Sequence, residues 1–377
     1  MICLIRNELP LFLLFGLVAA AFVGLTTQLE ATAGVALALQ FGLLLATLIW
    51  GAFRVVHHAE VIAHEVGEPA GTLVLTLSVI GIEVALVVAL MLGGQADPTA
   101  ARDTMLSVVM LAINLVLGLA LLFGGARHGG SMHNLQGSAA YLGTLIVLSG
   151  LSLVWPRIAD SAPGGQVSAL QAPFLVGVSL VCYGVFLAIQ VGQARGWFQD
   201  HPVTEPPRGE QQEPEPSLGA ERDIGAGGLP GRVVLLLAYL ALIILLAEQM
   251  AHLLEQVTVE LGLPRAVSGL IVAAVILAPE AMATVQAATD RQMQRAVNLS
   301  LGAALSTIGL TVPAVLLVSM LTGVPAELGL PPTEILLLAL SFLLAINTLA
   351  TGRTNQLHGV LHLALFAAFV VLIFDGV

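Results

Sequence analysis

Two acids stand where the sequence is otherwise hydrocarbon. Glu83 lies in LSVIGIEVALVVALM (77–91) and Glu280 in SGLIVAAVILAPEAMATVQAA (268–288). A carboxylate at the centre of a membrane helix costs about 2.5–3.5 kcal/mol on insertion scales, so something must offset that cost or use it. Bringing two of them into one poorly solvated site makes ionising both costlier, through desolvation and like-charge repulsion. Such a pair has two good states: protonated, or bound to a cation through hard oxygen ligands. These residue types therefore point to competition between protons and a metal cation for Glu83 and Glu280.

Nearby polar groups could complete a cation shell. Asn114 and Asn298 each open an NLxLGxAL segment one span after an acid, and their amide oxygens are neutral ligands. Ser300, Ser306 and Thr307 share a span with Asn298; Thr76 and Ser78 share one with Glu83. Pro279 has no backbone N–H, which frees the carbonyl of Val275 one turn earlier. The bland alternatives stay open: Asn can bond between helices, and Ser or Thr can bond back to their own helix. Further along, His57 with Glu60 and His252 with Glu255 have the His-x-x-Glu spacing that places both side chains on one helix face. They read as a gate, a proton entry path, or solvated helix ends. HEVGE (64–68) lacks the second His of a zinc-protease helix. The spans carry no nucleophile–base pair or metal triad, so neither an enzyme nor a resident cofactor is expected.

These residues need a membrane to position them. The 377-residue chain is 57% hydrophobic and 10% charged, against roughly 25% charged for a soluble domain. Its apolar runs are continuous and helix-length for a hydrocarbon core of about 30 Å, unlike the short alternating strands of a barrel. The expected fold is an all-α polytopic membrane protein with eleven spans, near 9–25, 33–53, 70–92, 104–125, 137–155, 172–192, 231–254, 266–287, 296–322, 332–351 and 356–374. Residues 196–230, including HPVTEPPRGEQQEPEPSLGAERDIGAGGLP (201–230), read as an acidic Pro/Gly-rich linker that carries part of the net charge of −11. All 13 basic residues are Arg. With the N-terminus inside, ten lie in inner segments and only Arg102, Arg157 and Arg265 in outer ones. The positive-inside rule then gives an inner-membrane protein with a cytoplasmic N-terminus and linker and an outside C-terminus. Its partners are the bilayer and the transported ions; an oligomer is compatible, and nothing resembles a nucleic-acid patch. Cys3 and Cys182 alone make no disulfide framework.

The chain repeats itself. HHAEVIAHEVGEP (57–69) matches HLLEQVTVELGLP (252–264) without a gap at His57/His252, Glu60/Glu255, Glu65/Glu260, Gly67/Gly262 and Pro69/Pro264. Each stretch leads into a span with a central acid. NLVLGLAL (114–121) also matches NLSLGAAL (298–305). Spans two to six then correspond to spans seven to eleven. Five is odd, so the second copy enters the membrane from the other side, the build of many secondary transporters. The expected organisation is an extra N-terminal helix (1–28), a first repeat (29–195), the linker (196–230) and a second repeat (231–377), with the first span peripheral.

EVIAHEVGEPAGTLVLTLSVIGIEVALV (60–87), SGLIVAAVILAPEAMATVQAA (268–288) and AVNLSLGAALSTIGLTVPAV (296–315) resemble the α-repeats, and the span after the second, of the calcium/proton antiporters. These form the cation/proton exchanger branch of the calcium/cation antiporter superfamily; the bacterial type that also carries sodium and potassium is the most similar. The resemblance implies ten core helices in two inverted repeats plus one extra helix. It also implies alternating access, with Glu83 and Glu280 binding metal or protons in turn and Asn114 and Asn298 as site residues. Cytoplasmic Ca²⁺, with Na⁺ or K⁺ as further cargo, would exchange for external protons. The chain departs from the family where many members carry Gly-Asn four and three residues before each acid. Here Val79-Ile80 and Ile276-Leu277 stand there. Calcium favours six to eight oxygens, so this thinner shell opens a monovalent Na⁺(K⁺)/H⁺ antiporter as the alternative. A channel or a non-transporting scaffold is the remaining class.

Overall fold

The computed structural model describes residues 8–22, 34–67, 70–92, 98–159, 162–192, 194–199 and 228–375. Among them run eleven helices: α1 Leu9–Phe22, α2 Val35–Val66, α3 Ala70–Leu92, α4 Ala100–His128, α5 Leu135–Ile158, α6 Gln171–Val191, α7 Gly228–Glu260, α8 Ala266–Thr289, α9 Met293–Thr322, α10 Pro332–Leu349 and α11 Gln356–Phe374. Nine are long and apolar enough to cross a membrane; α1 and α3 contribute the shorter apolar stretches Leu9–Ala20 and Leu77–Leu92.

Helix ends follow local chemistry. Asn134 and Asn355 cap α5 and α11, their side chains accepting from the backbone N–H of Gln136 and His358. Gly67 and Gly262, matched in the repeat, both adopt positive φ (74° and 62°) just beyond α2 and α7. Only glycine takes that conformation without strain, so the same residue stops the same helix in each half. The two helices are longer than their apolar runs. At 32 and 33 residues they extend roughly 48–50 Å, well beyond the expected ends at 53 and 254. The His- and Glu-bearing stretches are their continuations, because an amphipathic turn stays helical where hydropathy falls. The linker also shrinks: Arg195–Phe198 forms a 3₁₀ turn, Gly228–Pro230 is already helical, and 201–227 lie outside the described residues.

Loop contacts obey the alternation of eleven spans. Ser131–Met132 pairs antiparallel with Arg353–Thr354. At the other face Gln166 bridges Glu327, the Leu330 N–H donates to the Leu153 carbonyl at 2.8 Å, and the Gly34 N–H donates to Glu260 at 2.6 Å. Each pair joins segments assigned to one side of the membrane, as two inverted five-helix repeats require.

The apolar interior divides in two. One cluster gathers α1, α2 and α7 with faces of α3 and α8, through Leu48, Val55, Ile243, Leu246, Ile82 and Val272. The other gathers α4–α6 and α9–α11 with the remaining faces of α3 and α8. The acid-bearing helices thus belong to both.

The first helix packs on α2 and α7 with its outer face exposed at Phe12 and Phe15, and its start is anchored. Glu8, just ahead of α1, is buried and pairs with Arg54 of α2. The Tyr239 hydroxyl of α7 donates to it at 2.7 Å, and His58 Nε2 lies 3.4 Å away. Burial alone would raise the Glu8 pKa. The His58 and Tyr239 hydrogen bonds and the Arg54 charge outweigh it and hold the carboxyl at about 2, below its ordinary 4.5. A depressed carboxyl pKa stabilises the fold fully above about 4.5, and that contribution is lost as pH falls through 4.5 towards 2. Glu8→Gln is therefore expected to lower stability at neutral pH by up to about 3 kcal/mol, the low end for breaking a buried pair because Arg54 keeps some solvent. Melting of the purified protein from pH 6 to pH 3 should show a smaller acid loss in the variant. Equal losses would mean the anchor does not form.

Candidate cation and proton site

Glu83 sits beyond the middle of α3, buried with 1% exposure. Thr307 of α9 donates to its Oε2 at 3.0 Å and also lies 3.1 Å from its own helix carbonyl at Ala303. The other carboxylate oxygen, Oε1, has no hydrogen-bond partner, and neither has the Thr311 hydroxyl that faces the same carboxylate. Glu280 of α8 is half-buried and close enough to Glu83 for the two charges to interact. Among the described residues none donates a hydrogen bond to its side chain. Two acids from opposite repeats, one of them with an unpartnered buried oxygen, form a site short of positive charge. A proton or a cation would supply it.

Irregular helices build the site. α4 is π-helical at Leu111–Val116 and α9 at Thr307–Thr311. A π turn holds one more residue than an α turn, so it rotates the following side chains and often marks a functional site. α3 packs against the π segment of α9, and α8 against that of α4. Gly309 keeps that of α9 close to α6: a Cβ there would fall 2.7 Å from the Tyr183 ring. In α8, Pro279 and Val275 are both buried, and Pro279 leaves the Val275 carbonyl without its helical donor.

The other expected ligands lie elsewhere. The two asparagines are not counterparts. The acids are offset by 197 residues and the π segments by 196, whereas the NLxLGxAL match has an offset of 184. Counted from the acids, the partner of Asn114 is Thr311, each 31 residues on (83 to 114 and 280 to 311). Asn298 sits near the start of α9, where its amide donates to the Phe198 carbonyl at 2.6 Å and accepts from Gln294 at 2.8 Å. Among the described residues, nothing ties it to either acid. Asn114 is fully buried and bonds to Ser341 and His362. Ser300 donates to the Ala112 carbonyl in the π segment of α4 at 2.7 Å. Ser306 and Ser78 bond back to Ala303 and Val74. The Thr76 side chain lies outside the described residues. Thr311 and the buried partners of Asn114 carry no local motif; only the shared count of 31 could have found Thr311.

The two His-x-x-Glu pairs sit at opposite faces, as inversion demands. His57 rings against His58 at 5.7 Å, and Glu60 feels the charge of Arg295 at the start of α9. At the other face His252 lies 3.9 Å from Glu248. Glu255 helps line a cavity of about 210 Å³ with Asp103, Thr258, Arg265 and Ser268. There Asp103 pairs with Arg102 at 2.8 Å, and Arg102 with Glu327 at 2.8 Å. Among the described residues, no three of His, Cys, Asp and Glu converge into a further metal cluster.

The model of the sodium/calcium exchanger protein family matches residues 36–192 and 232–374, leaving out α1 and the stretch between the repeats. The chain belongs to the sodium/calcium exchanger family. It is 38% identical over 360 residues to the protein y4hA of Sinorhizobium fredii, covering 95% of this chain and 94% of that one. It is 36% identical over 328 residues to the sodium-potassium/proton antiporter ChaA of Escherichia coli, covering 87% and 86%. The crystal structure of the Ca²⁺/H⁺ antiporter protein YfkE shares the fold, with a TM-score of 0.69 over 98% of this chain and 99% of that one at 18% identity.

Hydroxyls at the Glu83 carboxylate and amides at the helix end should behave differently. Thr307→Val and Thr311→Val are each expected to weaken cation dependence of transport by about 5- to 30-fold in KM, the worth of one to two kcal/mol for a lost polar contact. Asn298→Ala is expected to lower thermal stability and leave that KM unchanged. A KM raised by Asn298→Ala as much as by Thr307→Val would return Asn298 to the site.

Proposed function

We propose that this family member is a cation/proton antiporter of the bacterial inner membrane, exchanging Na⁺ or K⁺ for protons. The carrying observation is the Glu83–Glu280 pair with Oε1 of Glu83 and the Thr311 hydroxyl left unpartnered. Empty and doubly charged, that site is costly in a low-dielectric interior. Protonated, or holding a cation, it is not. Alternation between those two loads is exchange. Few neutral oxygens surround the acids: Thr307 and Thr311 face Glu83, and apolar residues replace the Gly-Asn pairs. A thin shell suits a monovalent ion better than calcium, which takes six to eight oxygens. Similarity to ChaA over most of both chains favours the same cargo.

The division of the apolar interior suggests how access alternates. On this reading α1, α2 and α7 form one body and α4–α6 with α9–α11 the other, with the acids on the shared helices. Shifting one body against the other opens the site to each face in turn. The cavity beside Glu255 then serves as the outer approach, and the His57–Glu60 end of α2 flanks the inner one. The N-terminus lies in the cytoplasm and the two repeats are 29–195 and 231–377.

Ca²⁺/H⁺ exchange is the second reading. Two carboxylates offer two negative charges, which match a divalent ion. Proteoliposomes with an inside-acid gradient separate the readings when Na⁺, K⁺ or Ca²⁺ is added outside. Na⁺ or K⁺ is expected to dissipate the gradient at lower concentration than Ca²⁺. Glu83→Gln and Glu280→Gln should each reduce that flux at least about 100-fold, since a neutral amide can neither release a proton nor balance the cation. Ca²⁺ acting alone would establish the second reading. Full flux in both variants would remove the two acids from the site, and no cation-driven flux in the native protein would remove the antiporter reading altogether.

A further inference from the structure

We infer that His362 sets ion preference by holding the Asn114 oxygen away from the cation. The inference rests on the exchange reading above and deepens it. Asn114 stands 31 residues after Glu83, as Thr311 does after Glu280. Thr311 faces the acid of the other repeat. Asn114, on a π segment packed against the Glu280 helix, is the corresponding oxygen for Glu280. Yet its amide is fully engaged on the far helices. Nδ2 donates to the Ser341 hydroxyl of α10 at 2.8 Å, and Oδ1 lies 3.1 Å from Nδ1 of His362 on α11.

The bonding fixes the imidazole. Ser341 uses its own hydrogen on the Leu337 carbonyl at 2.8 Å, so Asn114 presents N–H to Ser341 and oxygen to His362. An amide oxygen only accepts, so His362 carries its hydrogen on Nδ1. Nε2 is then bare and accepts from the Thr348 hydroxyl at 3.1 Å. Asn114, Ser341, Thr348 and His362 are all fully buried, and every group in the chain is satisfied. Met110, one turn before Asn114, is drawn the same way: Asn114 Nδ2 and the Ser341 hydroxyl both lie 3.5 Å from its sulfur. The two side chains corresponding to Thr307 and Thr311 are thus turned to α10 and α11. Glu280 is left without a donor, and the cation without a neutral oxygen on the Glu280 side. The missing ligand matters most to Ca²⁺, whose shell needs the most oxygens. His362 is therefore a positioning residue for selectivity; it touches neither cation nor acid.

Two variants separate positioning from mere packing. His362→Gln can keep the Thr348 contact but does not reproduce the Nδ1 donor; His362→Asn keeps a donor near Nδ1 and gives up the Thr348 contact. Proton flux in proteoliposomes is read with Na⁺ and with Ca²⁺, beside Glu83→Gln. His362→Gln is expected to raise the ratio of Ca²⁺ to Na⁺ affinity about tenfold, and adding Asn114→Leu to it should return the ratio to the native value. His362→Asn should hold the native ratio. A native ratio in folded His362→Gln, or a raised one that survives Asn114→Leu, overturns the inference. Absence of cation-driven flux in the native protein instead marks failure of the exchange reading itself, and flux retained in Glu83→Gln marks failure of the acid site on which the inference rests.

Discussion

Like charges in a low-dielectric site repel over distances that water would screen, and Glu83 and Glu280 feel each other across the α3–α8 interface. Little else near them relieves that repulsion. One threonine donates to Glu83, and among the described residues none donates to Glu280 and no arginine reaches either. Arginine is used at the membrane faces instead, at Glu8 and at Asp103 and Glu327. A fixed guanidinium beside the acids would neutralise them permanently and end any competition between proton and cation. Leaving the pair uncompensated costs stability, which the surrounding apolar packing must supply.

The π segments convert the repeat into a site. Each acid-bearing helix packs against the irregular helix of the other half, so each carboxylate meets side chains supplied across the pseudo-symmetry. A regular α-helix would carry Thr307 and Thr311 about 40° apart around its axis, at 100° per residue. Residues four apart therefore already share a face; the extra residue of a π turn rotates that face, and here both threonines face Glu83. The Ser300 hydroxyl, bonded to the Ala112 carbonyl, ties α9 to α4 where α4 departs from α geometry. Strain of this kind persists only where surrounding contacts hold it.

The sequence made the acids, the spans and the inversion readable for one reason: each leaves a strong, cheap signal. A carboxylate in a long apolar run is rare, span length is set by the bilayer, and an odd number of repeated spans forces inversion. Gly67 and Gly262 matched because both end a helix at positive φ. The NLxLGxAL match is misleading because Leu, Gly and Ala recur in any close-packed membrane helix, whereas the spacing from the acids pairs Asn114 with Thr311. Glu8, His362 and Ser341 were silent because their partners are 46 to 248 residues away. The extension of α2 and α7 was hidden for a different reason. Hydropathy reports where lipid ends, and a helix can continue into water.

Duplication gave this chain a two-fold scaffold, and divergence has made its two halves chemically unequal. The positions facing Glu83 hold two hydroxyls, Thr307 and Thr311. The corresponding positions for Glu280 hold a thioether and an amide, Met110 and Asn114, both engaged by α10. Thioether sulfur is a poor ligand for hard cations, and the amide oxygen is occupied by His362. On the exchange reading the cation therefore rests nearer Glu83, with hydroxyl oxygens to complete its shell, while Glu280 faces a drier wall better suited to a carboxylic acid than to a carboxylate. A symmetric site would offer cation and proton the same oxygens on both sides. An asymmetric one separates their preferred seats while keeping them close enough that loading one seat changes the cost of the other, and that coupling is what an exchanger needs.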